Sequence, residues 1–232
     1  MKKMRFLPVI ALSVSLLLGG CQSSETPTVT YTEPETNTPI NDHTMITDGS
    51  AVFVYRDGRV RSQDVESFGE EYYDVNELKS EYIDPAVSEY NSAAGKDKVK
   101  VVSLDLKNGN VSLVIDYAQA KDFLDFNKNT NLYFKDWKTF DTCPYLKISE
   151  SGYALPANLV DPSGNLVPAS GIKSDTELYL CVLDLGAGYP TGFSGKLLFE
   201  GDIAYASGGI TFDSSNGITL ADVAGLQYII FK

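Results

Sequence analysis

Lys98-Val-Lys-Val-Val-Ser-Leu-Asp-Leu-Lys-Asn108-Gly109-Asn-Val-Ser-Leu-Val-Ile-Asp-Tyr117 carries the clearest structural signal in the chain. An Asn-Gly pair between two alternating apolar runs marks a hairpin, because both residues accept the positive φ that a type I′ turn demands. With Asn108-Gly109 as a two-residue loop, Leu106 faces Val111, Leu104 faces Leu113 and Val102 faces Ile115. That register makes one face continuously apolar, and a one-residue slip would expose all six side chains. The other face carries Ser103, Asp105, Ser112 and Asp116, with Val101 and Val114 among them.

Upstream, Val75, Leu78, Tyr82, Ala86 and Tyr90 recur at helical intervals. Asp74 is placed to cap their start with Glu77 three residues on, and Gly95 to end the run. Asp84-Pro85 interrupts this segment: either the helix kinks there, or a second helix begins with Pro85 at its first position. Before it, residues 51–55 read as a strand, and Asp57-Gly58 as the tight turn to a return strand starting at Val60. A two-residue loop would pair Tyr55 with Val60 and place Ala51, Phe53, Tyr55 and Val60 on one face. A short helix over 118–126 closes a ββαββα block spanning 48–128.

From residue 129 to 232 the chain is β-rich. Expected strands cover 132–134, 178–185, 196–199, 203–206, 210–212 and 227–231, and turns fall at 162–165, 186–195 and 214–217. The fold class is therefore α+β, with the C-terminal part either a second lobe or continuous with the first block.

The first 20 residues form a leader: Lys2, Lys3 and Arg5, an apolar run from Phe6 to Leu18, then Gly19-Gly20 before Cys21. The apolar run is too short for a stable transmembrane helix. The order of basic, apolar and small residues before a cysteine resembles a lipoprotein signal peptide with its lipobox, which implies cleavage before Cys21 and acylation of its thiol. Residues 22–47 are rich in Thr, Glu, Pro and Asn, and read as a tether reaching on the order of 25–30 Å. The expected location is the cell membrane, lipid-anchored on its extracytoplasmic face.

Composition narrows the partners. The chain carries 31 acidic and 19 basic residues, a net charge of −12. Such a surface repels phosphate backbones, so nucleic acid is not an expected partner. The single histidine, His43, lies in the tether, and no cysteine pair has metal-ligand spacing. A zinc site and a His-based catalytic triad are both unsupported. Ser194, in Gly192-Phe193-Ser194-Gly195, lacks the setting of a nucleophile elbow, and neither Gly186-Ala187-Gly188 nor Gly208-Gly209 fits a phosphate-binding loop. No cofactor is expected.

Weaker constellations remain. Asp125, Asn127, Asn129 and Asn131, with Asp136 at the twelfth position, resemble the start of a calcium loop, yet Thr130 stands where the loop needs Gly and Asp136 replaces the bidentate Glu. Asp105 and Asp116 share a hairpin face and could act as a glycosidase carboxylate pair. Cys143 and Cys181 could bridge in an oxidising compartment or remain buried thiols. Arg56, Arg59 and Arg61 suggest pairing with the acidic stretch Glu70, Glu71, Asp74, Glu77 and Glu81, with contact to an anionic wall polymer as the alternative. Tyr133, Phe134, Trp137, Phe140 and Tyr145 read as core, with a stacking platform as the alternative.

The lipobox, the block 98–127 and the closing Gly225-Leu-Gln-Tyr-Ile-Ile-Phe-Lys232 together resemble uncharacterised lipoproteins of Gram-positive anaerobes. The resemblance implies an envelope address and transfers no catalytic residue. The leading expectation is a non-enzymatic binding or scaffolding protein whose partner is an envelope or extracellular protein or glycan. A carboxylate-dependent wall or glycan hydrolase, and a small solute-binding lipoprotein, are the alternatives.

Overall fold

The computed structural model describes residues 49–68, 74–128, 136–173, 177–187 and 195–232. The leader, Cys21 and the tether lie outside the described residues, as do the expected strand at 132–134 and most of the turn at 186–195. The fold is α+β. Strands β1 (Ala51–Val54) and β2 (Val60–Ser67) are followed by helix α1 (75–94), then by β3 (Val99–Lys107), β4 (Asn110–Tyr117) and helix α2 (Ala120–Asn127). The C-terminal part supplies β5 (Thr139–Pro144), β6 (Asn158–Val160), β7 (Leu166–Pro168), β8 (Tyr179–Asp184), β9 (Gly195–Phe199), β10 (Ile203–Ala206), β11 (Thr211–Ser214), β12 (Gly217–Leu220) and β13 (Leu226–Phe231).

Two sheets form. The first runs β11-β12-β9-β1-β2-β4-β3, with β1 and β9 as its one parallel pair among the described strands. The second, β5-β8-β13-β10-β6-β7, is antiparallel throughout. C-terminal strands thus complete a sheet begun by the N-terminal block. The main core joins both sheets: Val54, Ile115, Leu197, Phe199 and Ile218 from the first meet Phe140, Cys181, Leu183, Ile229 and Phe231 from the second. The far side of the second sheet is buried as well, where Leu180, Val182, Tyr228 and Ile230 pack with Tyr145, Leu159 and Ile172. Burial on both faces explains why β8 and β13 are almost uninterruptedly apolar instead of alternating.

The β3–β4 hairpin turns at Asn108 (φ 52°) and Gly109 (φ 74°), both left-handed as a type I′ turn requires. Leu106 faces Val111 and Leu104 faces Leu113 as expected, but a bulge between Val101 and Ser103 then shifts the register. Val101, not Val102, faces Ile115, and Val99 faces Tyr117. A bulge inserts one residue and so reverses the facing of everything beyond it. Val102 is consequently 41% exposed while Val99 is buried. It also breaks up a nine-residue edge strand, which Lys100 and Lys107 protect further against pairing with another chain. Val102→Thr should therefore change stability by less than about 0.5 kcal/mol, whereas Val99→Ala should cost about 1–3 kcal/mol in urea unfolding.

The first hairpin corrects the sequence reading by one residue. Tyr55 N–H donates to the Arg59 carbonyl (3.0 Å) and Gly58 N–H to the Tyr55 carbonyl (3.1 Å), so the loop has three residues, 56–58. Gly58 takes the left-handed position (φ 88°) that a three-residue loop places last. Val54 now faces Val60, and both enter the core. Phe53, Tyr55 and Ala51 occupy the opposite face with Leu198.

Helix α1 starts at the expected cap, Asp74 Oδ1 accepting from the Asn76 and Glu77 amides. A new α-helical stretch does begin at Asp84 with Pro85 in its first turn, though Ile83 and not Asp84 holds the cap position. Val75–Glu77 runs into a π-helical stretch, Leu78–Ile83, and on into Asp84–Ala94. The wider turn lets the Asp84 amide reach back five residues to Lys79 and relieves the ladder just before the proline that has no N–H to donate. The wider turn also shifts the inward stripe: Leu78 and Tyr90 pack on the core as expected, but Ile83 and Val87 take the places of Tyr82 and Ala86. At the far end Asn91 locks β3 in place: its amide donates to Val99 O (2.8 Å) and its carbonyl accepts from Val99 N–H (2.9 Å).

Strands β5, β6, β7 and β12 have no counterpart among the expected ones. β6 and β7 have three residues each, β12 opens on Gly217, and β5 is an edge strand whose final residue is Pro144. Such segments carry too few alternating apolar positions to signal a strand locally.

Candidate functional site

The inward face of β4 is apolar, Val111, Leu113, Ile115 and Tyr117 all being buried. The register pairs those residues with Glu66, Asp64, Ser62 and Val60 of β2. Directly opposed residues share a face. Two carboxyls and a hydroxyl are thereby turned toward the interior. Ser62 is 3% exposed, with Oγ 3.3 Å from the Tyr117 hydroxyl and 3.4 Å from Asp64 Oδ2. Asn127, the last residue of α2, donates to the Tyr117 hydroxyl (3.2 Å) and to the Phe123 carbonyl (2.9 Å). The result is a hydrogen-bonded chain, Asp64–Ser62–Tyr117–Asn127, that crosses β2, β4 and α2.

Burial pushes the Asp64 carboxyl up from 3.8 to about 6; the Ser62 hydrogen bond opposes the shift and the neighbouring Glu66 adds to it. Burial also raises the Tyr117 phenol, so it stays protonated across the physiological range and can donate along the chain.

A second buried acid lies on the same short helix. Asp122 Oδ1 accepts from the Tyr90 hydroxyl of α1 (3.1 Å), and its buried Oδ2 has no hydrogen-bond partner among the described residues. Burial raises this carboxyl too, against the opposing pull of Tyr90, Lys98 and Lys121. Aromatic rings pack around the short helix. Tyr117 meets Phe123 edge-on (5.1 Å), Tyr90 meets Phe126 edge-on (5.6 Å), and Phe123 meets Phe140 edge-on (5.5 Å). Helix α2 is therefore the hub on which α1, β4 and β5 converge. Chemically, the arrangement can bind and release protons near neutral pH. Its serine and tyrosine hydroxyls are paired with each other, and no group of three or more metal-ligating side chains occurs among the described residues.

The residues singled out from the sequence fall elsewhere. Asp105 is exposed opposite Ser112, and Asp116 is gripped by Arg61 (2.6 and 3.0 Å). Four residues of strand, about 13 Å, separate Ser112 from Asp116, beyond the reach of a hydrolytic carboxylate pair. Of the calcium candidates, Asp125 binds Lys121 (2.6 Å), Asn127 is turned inward, and Asp136 is exposed in a turn; Asn129 and Asn131 lie outside the described residues. Cys143 and Cys181 are free, so the bridge does not form. Thr142, not Cys143, opposes Cys181, and successive strand residues point to opposite faces. Cys181 faces the main core and Cys143 the second one, with their Cβ vectors diverging.

Glu70 and Glu71 of the acidic stretch lie outside the described residues. Arg59 binds Asp57 (2.6 Å) and lies over the Tyr55 ring, and Arg61 binds Asp116. Trp137, Phe140 and Tyr145 are core residues, while Tyr133 and Phe134 lie outside the described residues. Ser62, Asp64, Tyr117 and Asp122 were not legible as a site. The available signal was the alternation in β2, where Ser62, Asp64 and Glu66 fall on the same side as the apolar Val60.

No family model matches this chain, nor does any curated protein or solved structure.

Proposed function

We propose that this chain is a lipid-anchored protein of the extracytoplasmic face, held by an acylated Cys21 and acting there by binding or scaffolding. The observation that carries the reading is the ordered leader ending in Leu16-Leu17-Leu18-Gly19-Gly20-Cys21. It is supported by the Thr-, Glu- and Pro-rich residues that follow, which would carry the folded part away from the lipid surface. Among the described residues no helix is long and apolar enough to cross a membrane. Two or more acyl chains would hold it stably, where a single chain would not.

Cys21→Ala should abolish incorporation of an alkyne fatty acid and move the protein from the membrane fraction to the soluble one. A variant that stays labelled and membrane-bound would sink the proposal. Sugar release from a glycan panel would replace the binding role with the hydrolase alternative while leaving the anchor intact.

A further inference from the structure

We propose that residues 28–33 of the tether fold back as an added strand on the open edge of β3, which gives the tether a docked and a released length. The docking does not depend on the anchor; its effect on reach rests on the reading of Cys21 as the lipid attachment point.

The edge is open over a defined stretch. A two-residue turn makes Lys107 and Asn110 a hydrogen-bonded pair, and bonded pairs alternate along an antiparallel ladder. Lys107, Asp105 and Ser103 therefore bond to β4, while Leu106 and Leu104 turn their backbone N–H and C=O groups to the open side. No described residue bonds the Leu104 or Leu106 amide. Further along, the Asn91 side chain takes both backbone groups of Val99 and stands where a neighbouring strand would. On the inward face Leu104 packs at the margin of the main core, and Leu106 beside it is 49% exposed. Lys100 and Lys107, both exposed, bracket the stretch, and neither pairs with an acid among the described residues.

Lysines on an edge deter most chains and attract an acidic one. Residues 22–48 hold Glu25, Glu33, Glu35, Asp42 and Asp48 and no lysine or arginine. Within them Thr28-Val29-Thr30-Tyr31-Thr32-Glu33 alternates in the manner of a strand, with Pro27 and Pro34 to end it on either side. Paired with β3, Val29 and Tyr31 cover Leu104 and Leu106, the threonines lie beside Asp105, and the glutamates at the two ends meet the bracketing lysines.

The connection is long enough. Ser50 Oγ accepts from the Val65 amide on β2 (2.9 Å), two strand spacings, about 10 Å, from β3. Residues 34–48 extend to about 50 Å. The other sheet ends suit an acidic strand less: β11 carries Asp213, β5 carries Asp141, and β7 has three residues ending on Pro168. Docked, only residues 22–27 separate Cys21 from the folded part, and the reach falls from on the order of 25–30 Å to about 12–15 Å.

Amide hydrogen exchange on the full-length chain tests the docking, whether or not Cys21 is acylated, so its failure would leave the anchor reading standing. The Leu104 and Leu106 amides should exchange at least tenfold more slowly in the wild type than in Tyr31→Pro, a change outside the folded part that stops residues 28–33 from pairing. Lys107→Glu should also speed both amides, and Asp213→Asn at the far end of the sheet should not. The Asp105 amide, bonded to β4, should exchange alike in every variant. Equal rates in the wild type and Tyr31→Pro would overturn the proposal. So would Asp105 moving in step, which would mean that the whole hairpin opens, or slowing that grows with protein concentration, which would give the edge to a second copy of the chain.

Discussion

Truncating Phe123 to alanine should cost about 3–5 kcal/mol in chemical denaturation. The ring is 1% exposed and packs edge-on against both Tyr117 and Phe140. It thus joins α2 to a strand of each sheet, so its removal leaves a cavity that neither sheet can close by a local shift. Edge-to-face pairs add about 0.5–1.5 kcal/mol beyond burial, and two of them are lost together. Asn127 donates to the Phe123 carbonyl, and the main chain there will be held less firmly once the ring is gone. A loss below about 1.5 kcal/mol would mean that α2 is not the hub described above.

Asp64→Asn should act in the opposite direction and stabilise the protein at neutral pH. The folded-state carboxyl lies near 6 and the unfolded one near 3.8. The folded state therefore binds the proton more tightly, and its advantage is complete below about pH 4 and lost as pH rises through 6. At pH 7 the charged carboxylate costs the fold up to about 3 kcal/mol, taking about 1.4 kcal/mol for each pKa unit and the full shift as an upper bound. Asparagine mimics the neutral acid in shape and hydrogen bonding. Urea melts should show the variant gaining about 1–3 kcal/mol at pH 7 and nothing at pH 3.5. Equal gains at both values would assign the effect to packing instead of charge.

Much of the N-terminal block can be read locally. The Asn108-Gly109 turn, the Asp74 cap and the Gly95 stop each depend on the φ preference or hydrogen bonding of a single residue, and all three stand where the pattern puts them. The exceptions are one-residue insertions. The bulge at Val102, the third loop residue before Arg59 and the π stretch ahead of Pro85 each add one residue and reverse or rotate every facing beyond it. Periodicity counts residues, and a count cannot register an insertion that is stabilised by distant packing.

The candidate site was hidden for a related reason. Ser62 and Asp64 lie 55 and 53 residues before Tyr117, and Asn127 another ten beyond it. Polar side chains on a strand normally mark its solvent face. Only the pairing of β2 with β4 and the docking of α2 turn that series inward, where burial raises the acid.

The sequence by itself determines the α+β class and the first hairpin-helix-hairpin-helix block, because propensity and turn chemistry are written in neighbouring residues. Tertiary structure alone decides that β9 and β12 complete the first sheet, that Cys143 and Cys181 face apart, and that Asp122 and Asn127 of α2 meet Tyr90 and Tyr117. Those outcomes depend on which strands pair across long loops, and that choice is made by the burial of whole faces at once.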